Sequence, residues 1–288
     1  MAEELYNGAA VHQGFHDLAD LRAFARKLIE HWDRWQMKPF HMKGEYEVGG
    51  PILWSFTNHV VNLMRTVLDL SEKDRGIIAV PLIRLMVENT MTGMWLYLEP
   101  SNTWAILTEG FQKRRAAIKG VIEIEGEGFD NSDLDEIDQI LESLDSTTLP
   151  PFEQRCADIE GGKAIYVAYR VMSSYSHAGM ALGDFYLGEI EEDPGLERIP
   201  DARLENHEAW LGTAVSMLII SMKLCDNIDH KGGLKSQLDR AAKRMGMSLN
   251  FVKTPKKEKQ ARAKARPARS ASQGHDGAEF EPGEPASK

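Results

Sequence analysis

Apolar residues return every three or four positions along most of this chain, and that spacing leaves little room for any architecture but packed helices. Leu18, Leu21, Phe24, Leu28, Trp32 and Trp35 make one stripe of a helix expected over residues 17–36. Pro39, Gly44, Gly49 and Gly50 then mark a loop, and Ile52, Phe56, Val60, Leu63 and Val67 a second helix ending near Leu70. Residues 73–98 are apolar nearly all round, interrupted by Arg84, Glu88 and Asn89, as expected of the central helix of a bundle. Glu99-Pro100 stops it. Ser101 is expected to cap a helix carrying Trp104, Leu107, Phe111, Ile118 and Ile122, which continues through 121–125 and fades at Gly126.

Ser132 should open a short acidic helix with Leu134, Ile137, Leu141 and Leu144 on its buried face, closed by Pro150-Pro151. Helices are further expected over 163–177, 201–229 and 234–245, with the acidic stretch 188–200 as a loop. No internal repeat or sustained strand alternation is present, so the expected fold class is all-α, a multi-helix bundle. Residues 1–16 read as a flexible N-terminus and 17–252 as one helical domain. Residues 253–288 read as a disordered tail, basic then acidic, in which Phe280 is the only large apolar residue after Lys253.

The apolar share of 42% is enough for a core without covalent staples. Cys156 and Cys225 stand far apart, which argues against a disulfide framework, a zinc ribbon or a thioredoxin-type site and suits a reducing compartment. The first thirteen residues lack the basic and apolar regions of a secretory signal. The apolar runs 211–224 and 77–87 are short or interrupted by Lys223, Pro81 and Arg84, so both read as core helices. A cytoplasmic protein with no membrane partner is the expectation. Nine Lys/Arg against five Asp/Glu from Lys253 onward give the tail +4, which leaves −14 of the net −10 on the body. Nucleic acid would have to meet a local groove or the basic tail.

Several motifs fail on inspection. Glu160-Gly161-Gly162-Lys163 looks like the end of a phosphate loop, but Ala157 and Ala164 stand where that loop needs Gly and Ser or Thr. His207-Glu208 starts like a zincin helix, yet position 211 is Leu. Ser176 lacks the flanking glycines of a nucleophile elbow. His12 with His16, and Asp226 with Asp229 and His230, have ligand-like spacing but too few converging donors, and solvated polar residues are the simpler reading. No metal or other cofactor is expected.

Two polar stripes remain. On a helix, Arg170, Ser173, Ser174 and His177 share a face, with small hydroxyls between a cation and a titratable imidazole. A phosphate or carboxylate would suit that gap. Equally, an imidazole before Ala178-Gly179 favours a helix C-terminus, and serines permit close packing. Arg84 and Glu88 lie in the most apolar helix and must pair with each other, with another polar stripe, or with water. They are either an ion pair that fixes helix register or, with Ser173 and Ser174, part of a phosphate- or ligand-binding site across the bundle.

The segments LIRLMVENTMTGMWLYLEPSNTWAILTEGFQKRR and YRVMSSYSHAG resemble an uncharacterised bacterial and phage family of helical proteins, common in actinobacteria, over residues 75–225. Its recurring features map onto Arg84, Glu88, Trp95 and Pro100, and onto Tyr169, Arg170, Ser173 and His177. The chain also resembles HEPN domains, helical bundles of toxin and phage-defence proteins. Many of these are metal-independent ribonucleases in which four to six residues lie between an Arg and a His, and here six residues lie between Arg170 and His177. The resemblance implies catalytic roles for His177 in proton transfer at a ribose 2′-hydroxyl and for Arg170 on the phosphate, in a cleft between two subunits. Val171 departs from the polar residue usual there. Two functions thus stand side by side: a HEPN-like RNase or RNA- or nucleotide-binding protein, possible as a homodimer, and a non-catalytic helical interaction or oligomerisation module.

Overall fold

Asp17 sets the start of the first helix: its carboxylate accepts the Asp20 N–H at 2.8 Å, closing α1 (Leu18–Gln36) with a side-chain cap. The computed structural model describes residues 14–125, 132–144, 147–189, 195–201 and 207–258. After α1 come α2 (Gly50–Glu72), α3 (Gly76–Leu98), α4 (Thr103–Glu125), α5 (Ser132–Ser143), α6 (Phe152–Ala157), α7 (Gly162–Ser176) and α8 (Met180–Tyr186). A two-stranded antiparallel hairpin follows, β1 (Leu187–Glu189) with β2 (Leu196–Arg198), and then α9 (His207–Ile228) and α10 (Lys235–Arg244). The fold is all-α apart from this small hairpin.

Because α3 is apolar on every side, it has to be surrounded. It packs against α2, α9 and α7, and Ile83, Met86, Val87, Met91 and Leu96 are buried along its length. A polar seam inside this core is fully partnered. Thr57 donates to the Ser221 carbonyl at 3.1 Å, Thr90 and Ser221 share a hydroxyl contact of 2.8 Å, and the Cys225 thiol donates to Thr57. Burial pushes that thiol up to about 12, so it stays a packing group rather than a nucleophile. By length and composition alone α3 and α9 could cross a membrane, but 61% and 83% of their most apolar windows are buried among other helices.

The structure departs from expectation at several joints. Ser101 does not cap α4; a 3-10 turn (Pro100–Asn102) intervenes, and the Ser101 hydroxyl donates to Glu99 while Thr103 donates to the Pro100 carbonyl. The expected loop 188–200 contains β1 and β2, and the short helices α6 and α8 fall where no periodicity could build up over six or seven residues. Asp226 and Asp229 are buried and serve the backbone, accepting from Leu234 at 2.8 Å and from His41 at 3.3 Å. Of the His12–His16 pair, His12 lies outside the described residues.

The edges of the expected domain also differ. Gly14 and Phe15 are held by Arg244, which donates to the Gly14 carbonyl and lies 4.2 Å from the Phe15 ring centre. At the other end Lys253 pairs with Glu99 at 2.7 Å, Lys257 with Asp158 at 2.9 Å, and the Thr254 N–H donates to the Asp158 carbonyl. Contacts with the body therefore run on through Lys257, while residues 1–13 and 259–288 lie outside the described residues. Removing 253–288 is expected to lower the thermal midpoint about 3 °C further than removing 259–288, the size of roughly 1 kcal/mol from a few half-exposed polar contacts. The hydrogen bond from Lys253 holds the Glu99 carboxyl below its usual range, so its share of that difference is present above the ordinary carboxyl pKa. It is lost as pH falls through the depressed value. Melting curves of the two truncations across acid pH check both statements.

Candidate functional site

Arg84 and Glu88 stand one turn apart on the side of α3 that meets α7, and α7 answers with Tyr169 and Ser173, also one turn apart. Arg84 donates from Nε to the Ser173 hydroxyl at 2.8 Å and from a terminal nitrogen to the Tyr169 hydroxyl at 2.5 Å. Its guanidinium lies 4.6 Å from the centre of the Tyr169 ring. The Tyr169 hydroxyl in turn donates to Glu88 at 3.3 Å. Burial and the Glu88 carboxylate raise the phenol above its usual range against the opposing pull of Arg84, which keeps it a donor. The two charges on α3 are thus joined through a phenol rather than directly, and among the described residues Arg84 forms no ion pair with Glu88.

A second arginine backs this arrangement. Arg155 of α6 is buried, donates to the Thr92 hydroxyl at 2.6 Å and sits 5.3 Å from the Phe152 ring centre, while its Nε meets no acceptor. Burial lowers its pKa and the nearby Glu88 carboxylate opposes that shift; a guanidinium remains charged regardless. Phe152 packs on Tyr169 with ring centres 4.4 Å apart, and Tyr166 lies nearly parallel to Tyr169 at 6.2 Å. Glu88 and Glu109 both act on Arg155, and Glu153 accepts from the Tyr166 hydroxyl at 3.3 Å, so the two arginines are matched by nearby carboxylates.

An open groove of about 680 Å³ lies over this cluster, lined by Tyr166, Tyr169, Arg170, Ser173, Ser174 and His177. Arg170 and His177 are both exposed, and among the described residues neither forms a hydrogen bond or ion pair. His177 has left the helix: α7 ends at Ser176, and His177 is its C-cap in extended conformation, φ −116° and ψ 152°. The expected four-residue stripe therefore stops at Ser174, and His177 reaches the groove from the rim. Ser173 and Ser174 donate to the carbonyls of Tyr169 and Val171 in their own helix. Arg155, Thr92, Phe152 and Tyr166 escaped the sequence reading, because their elements either lacked periodicity or had no chemical spacing to mark them.

Gly161-Gly162 is a packing device. Gly161 starts α7 with φ 77°, and a Cβ on Gly162 would overlap the Cys156 carbonyl oxygen. Among the described residues no three His, Cys, Asp or Glu side chains converge as a metal site would need.

Residues 52–195, half of the 288-residue chain, match the model of a family of unknown function, DUF5677. The chain belongs to this family. The DUF5677 region runs from the start of α2 to the middle of the β-hairpin and so contains every residue of the groove and of the charged cluster beneath it. It leaves out α1, α9 and α10. No curated protein and no solved structure matches the chain.

Proposed function

We propose that this DUF5677 protein binds RNA along the groove of α7 and cleaves it without a metal. The observation that carries the reading is that Arg170 and His177 line one open groove together, with Tyr166 and Tyr169 beside them. Arg170 contacts the phosphate and His177 moves a proton. The ribose 2′-oxygen attacks the adjacent phosphorus as His177 accepts its proton, the bond to the 5′-oxygen breaks, and the products are a 2′,3′-cyclic phosphate and a 5′-hydroxyl protonated from solvent. The half-buried Tyr166 at the groove wall offers an aromatic edge beside a single-stranded base. The likeness to HEPN nucleases of toxin and phage-defence systems points the same way. A non-catalytic interaction module is the second reading, favoured by the exposed Val121 and Ile124 of α4.

His177→Ala and Arg170→Ala should each abolish cleavage of single-stranded RNA while leaving thermal stability nearly unchanged, since both side chains are exposed. A chelator should change nothing. Gel assays with purified protein decide the matter: no cleavage under any condition, or cleavage by His177→Ala at the parent rate, removes the nuclease reading and leaves the interaction module.

A further inference from the structure

A strap near the C-terminus runs from Phe251 to Lys257 and ends at the foot of α7. Phe251 meets the Tyr97 ring edge-on at 6.1 Å, the Glu160 N–H donates to the Val252 carbonyl at 3.0 Å, and Lys253 forms an isolated β-bridge with Ile159. Asp158 fixes the end of the strap. Its carboxylate accepts from Trp95 at 3.1 Å and from Gln154 at 2.9 Å and pairs with Lys257 at 2.9 Å, while its carbonyl accepts the Thr254 N–H. Four residues after Asp158 comes Gly162, where α7 begins, and one turn further is Tyr166, which lines the groove. The strap therefore tethers whatever follows it at the Tyr166 end of the groove.

Residues 259–269, outside the described residues, carry Lys259, Arg262, Lys264, Arg266 and Arg269 and no Asp or Glu. The groove itself is poor in positive charge. Arg170 is the only Lys or Arg among its lining residues, and the body around it carries −14. One guanidinium on so acidic a body is too little to hold a strand of RNA, because phosphate contacts dominate the affinity of such complexes. Eleven residues reach at most about 37 Å, at about 3.4 Å each. The 15 residues of α7 span about 22 Å. A segment rooted at Asp158 can thus follow the groove along its whole length.

We infer that residues 259–269 hold the phosphates of the same single strand of RNA that enters the groove, so that the tail and Arg170 engage one molecule together. This rests on the reading of the groove as an RNA site and divides the work within it. The tail supplies affinity for any sequence, and the groove places one phosphate beside His177. Tethering makes the second contact intramolecular, so the two together bind far more tightly than either alone.

Fluorescence anisotropy with the full chain tests the inference, using an oligouridine of roughly 20 nucleotides methylated on every 2′-oxygen, a probe that cannot be cleaved and that is long enough for both contacts. The five-fold variant Lys259→Gln, Arg262→Gln, Lys264→Gln, Arg266→Gln, Arg269→Gln should bind it about 100-fold more weakly near 100 mM salt. The slope of log affinity against log salt should become shallower by about 3.5, since each phosphate contact to a single strand contributes about 0.7. Arg170→Ala, with the tail intact, should weaken binding about tenfold. A five-fold variant that binds like the parent with the same slope, or an Arg170→Ala protein that binds as tightly as the parent, would show that tail and groove do not share a strand and would overturn the inference. Cleavage of unmethylated RNA is read separately. A parent that cleaves, with no loss of affinity when the tail is neutralised, keeps the nuclease reading and overturns this one; a parent that binds as expected but never cleaves does the reverse. A parent that does not bind the methylated strand at all overturns the inference.

Discussion

Replacing Arg84 with methionine is expected to lower the free energy of unfolding by about 3 kcal/mol, the scale of two lost charge-assisted hydrogen bonds at a half-buried site. The change strips the donors from Ser173 and Tyr169 and leaves Arg155 as the cation near Glu88. Tyr169→Phe removes one hydroxyl but keeps the ring that Phe152 and Arg84 pack on, so it should cost about 1–2 kcal/mol. Glu88→Gln keeps an acceptor for the Tyr169 hydroxyl and loses only the countercharge, and should fall in the same range. Urea unfolding of the single variants and the Arg84–Glu88 double variant checks this. The phenol links the two charges, so the double variant should cost clearly less than the sum of the singles. Additive costs, or an Arg84 variant as stable as the parent, would show that the cluster does not hold α7 against α3.

The second large effect belongs to Gly162. A methyl group there would overlap the backbone carbonyl of Cys156 and crowd Met91, and backbone cannot swing aside as a side chain can. Gly162→Ala should therefore cost about 2–3 kcal/mol, the usual range for forcing extra volume into a packed core. Gly161→Ala offers the contrast: open space surrounds that position, so the cost is only the left-handed backbone, about 1 kcal/mol. If the two variants unfold at the same denaturant concentration, close packing between α6 and α7 is not what the second glycine provides. Because α6 carries Phe152 and Arg155, a shift at this joint should also reach the groove.

What could be read before the structure, and what could not, divides along physical lines. The long helices announce themselves because several turns of burial repeat a stripe, and α1, α2, α3, α7 and α9 lie close to where their stripes place them. Short elements leave no such record: α6 spans less than two turns, and the strands of the hairpin are three residues each. The same limit governs the site. Arg84 and Glu88 stood out as charges in an apolar helix, which is a local property. Their partner Tyr169 is an ordinary aromatic until α7 is laid against α3, and Arg155 gives no signal before Pro151 is seen to launch a helix. Helix α7 ends one residue before the expected bound, and for His177 that residue matters, since the imidazole sits on extended backbone rather than on the helix face.

The order in which the core is assembled has a bearing on how the chain folds. His207, where α9 begins, follows Leu98, the last residue of α3, by 109 positions, yet these two helices pack together at the centre of the protein. During synthesis, α2 and α3 emerge long before the wall that covers them, and the intervening α4–α5 hairpin packs chiefly on itself rather than on the waiting surface. Closure across so long a loop is slow and leaves apolar surface open to other chains in the meantime. A ribosome-bound fragment ending before α9 should thus be a client for chaperones, and completion of α9 the step that releases it.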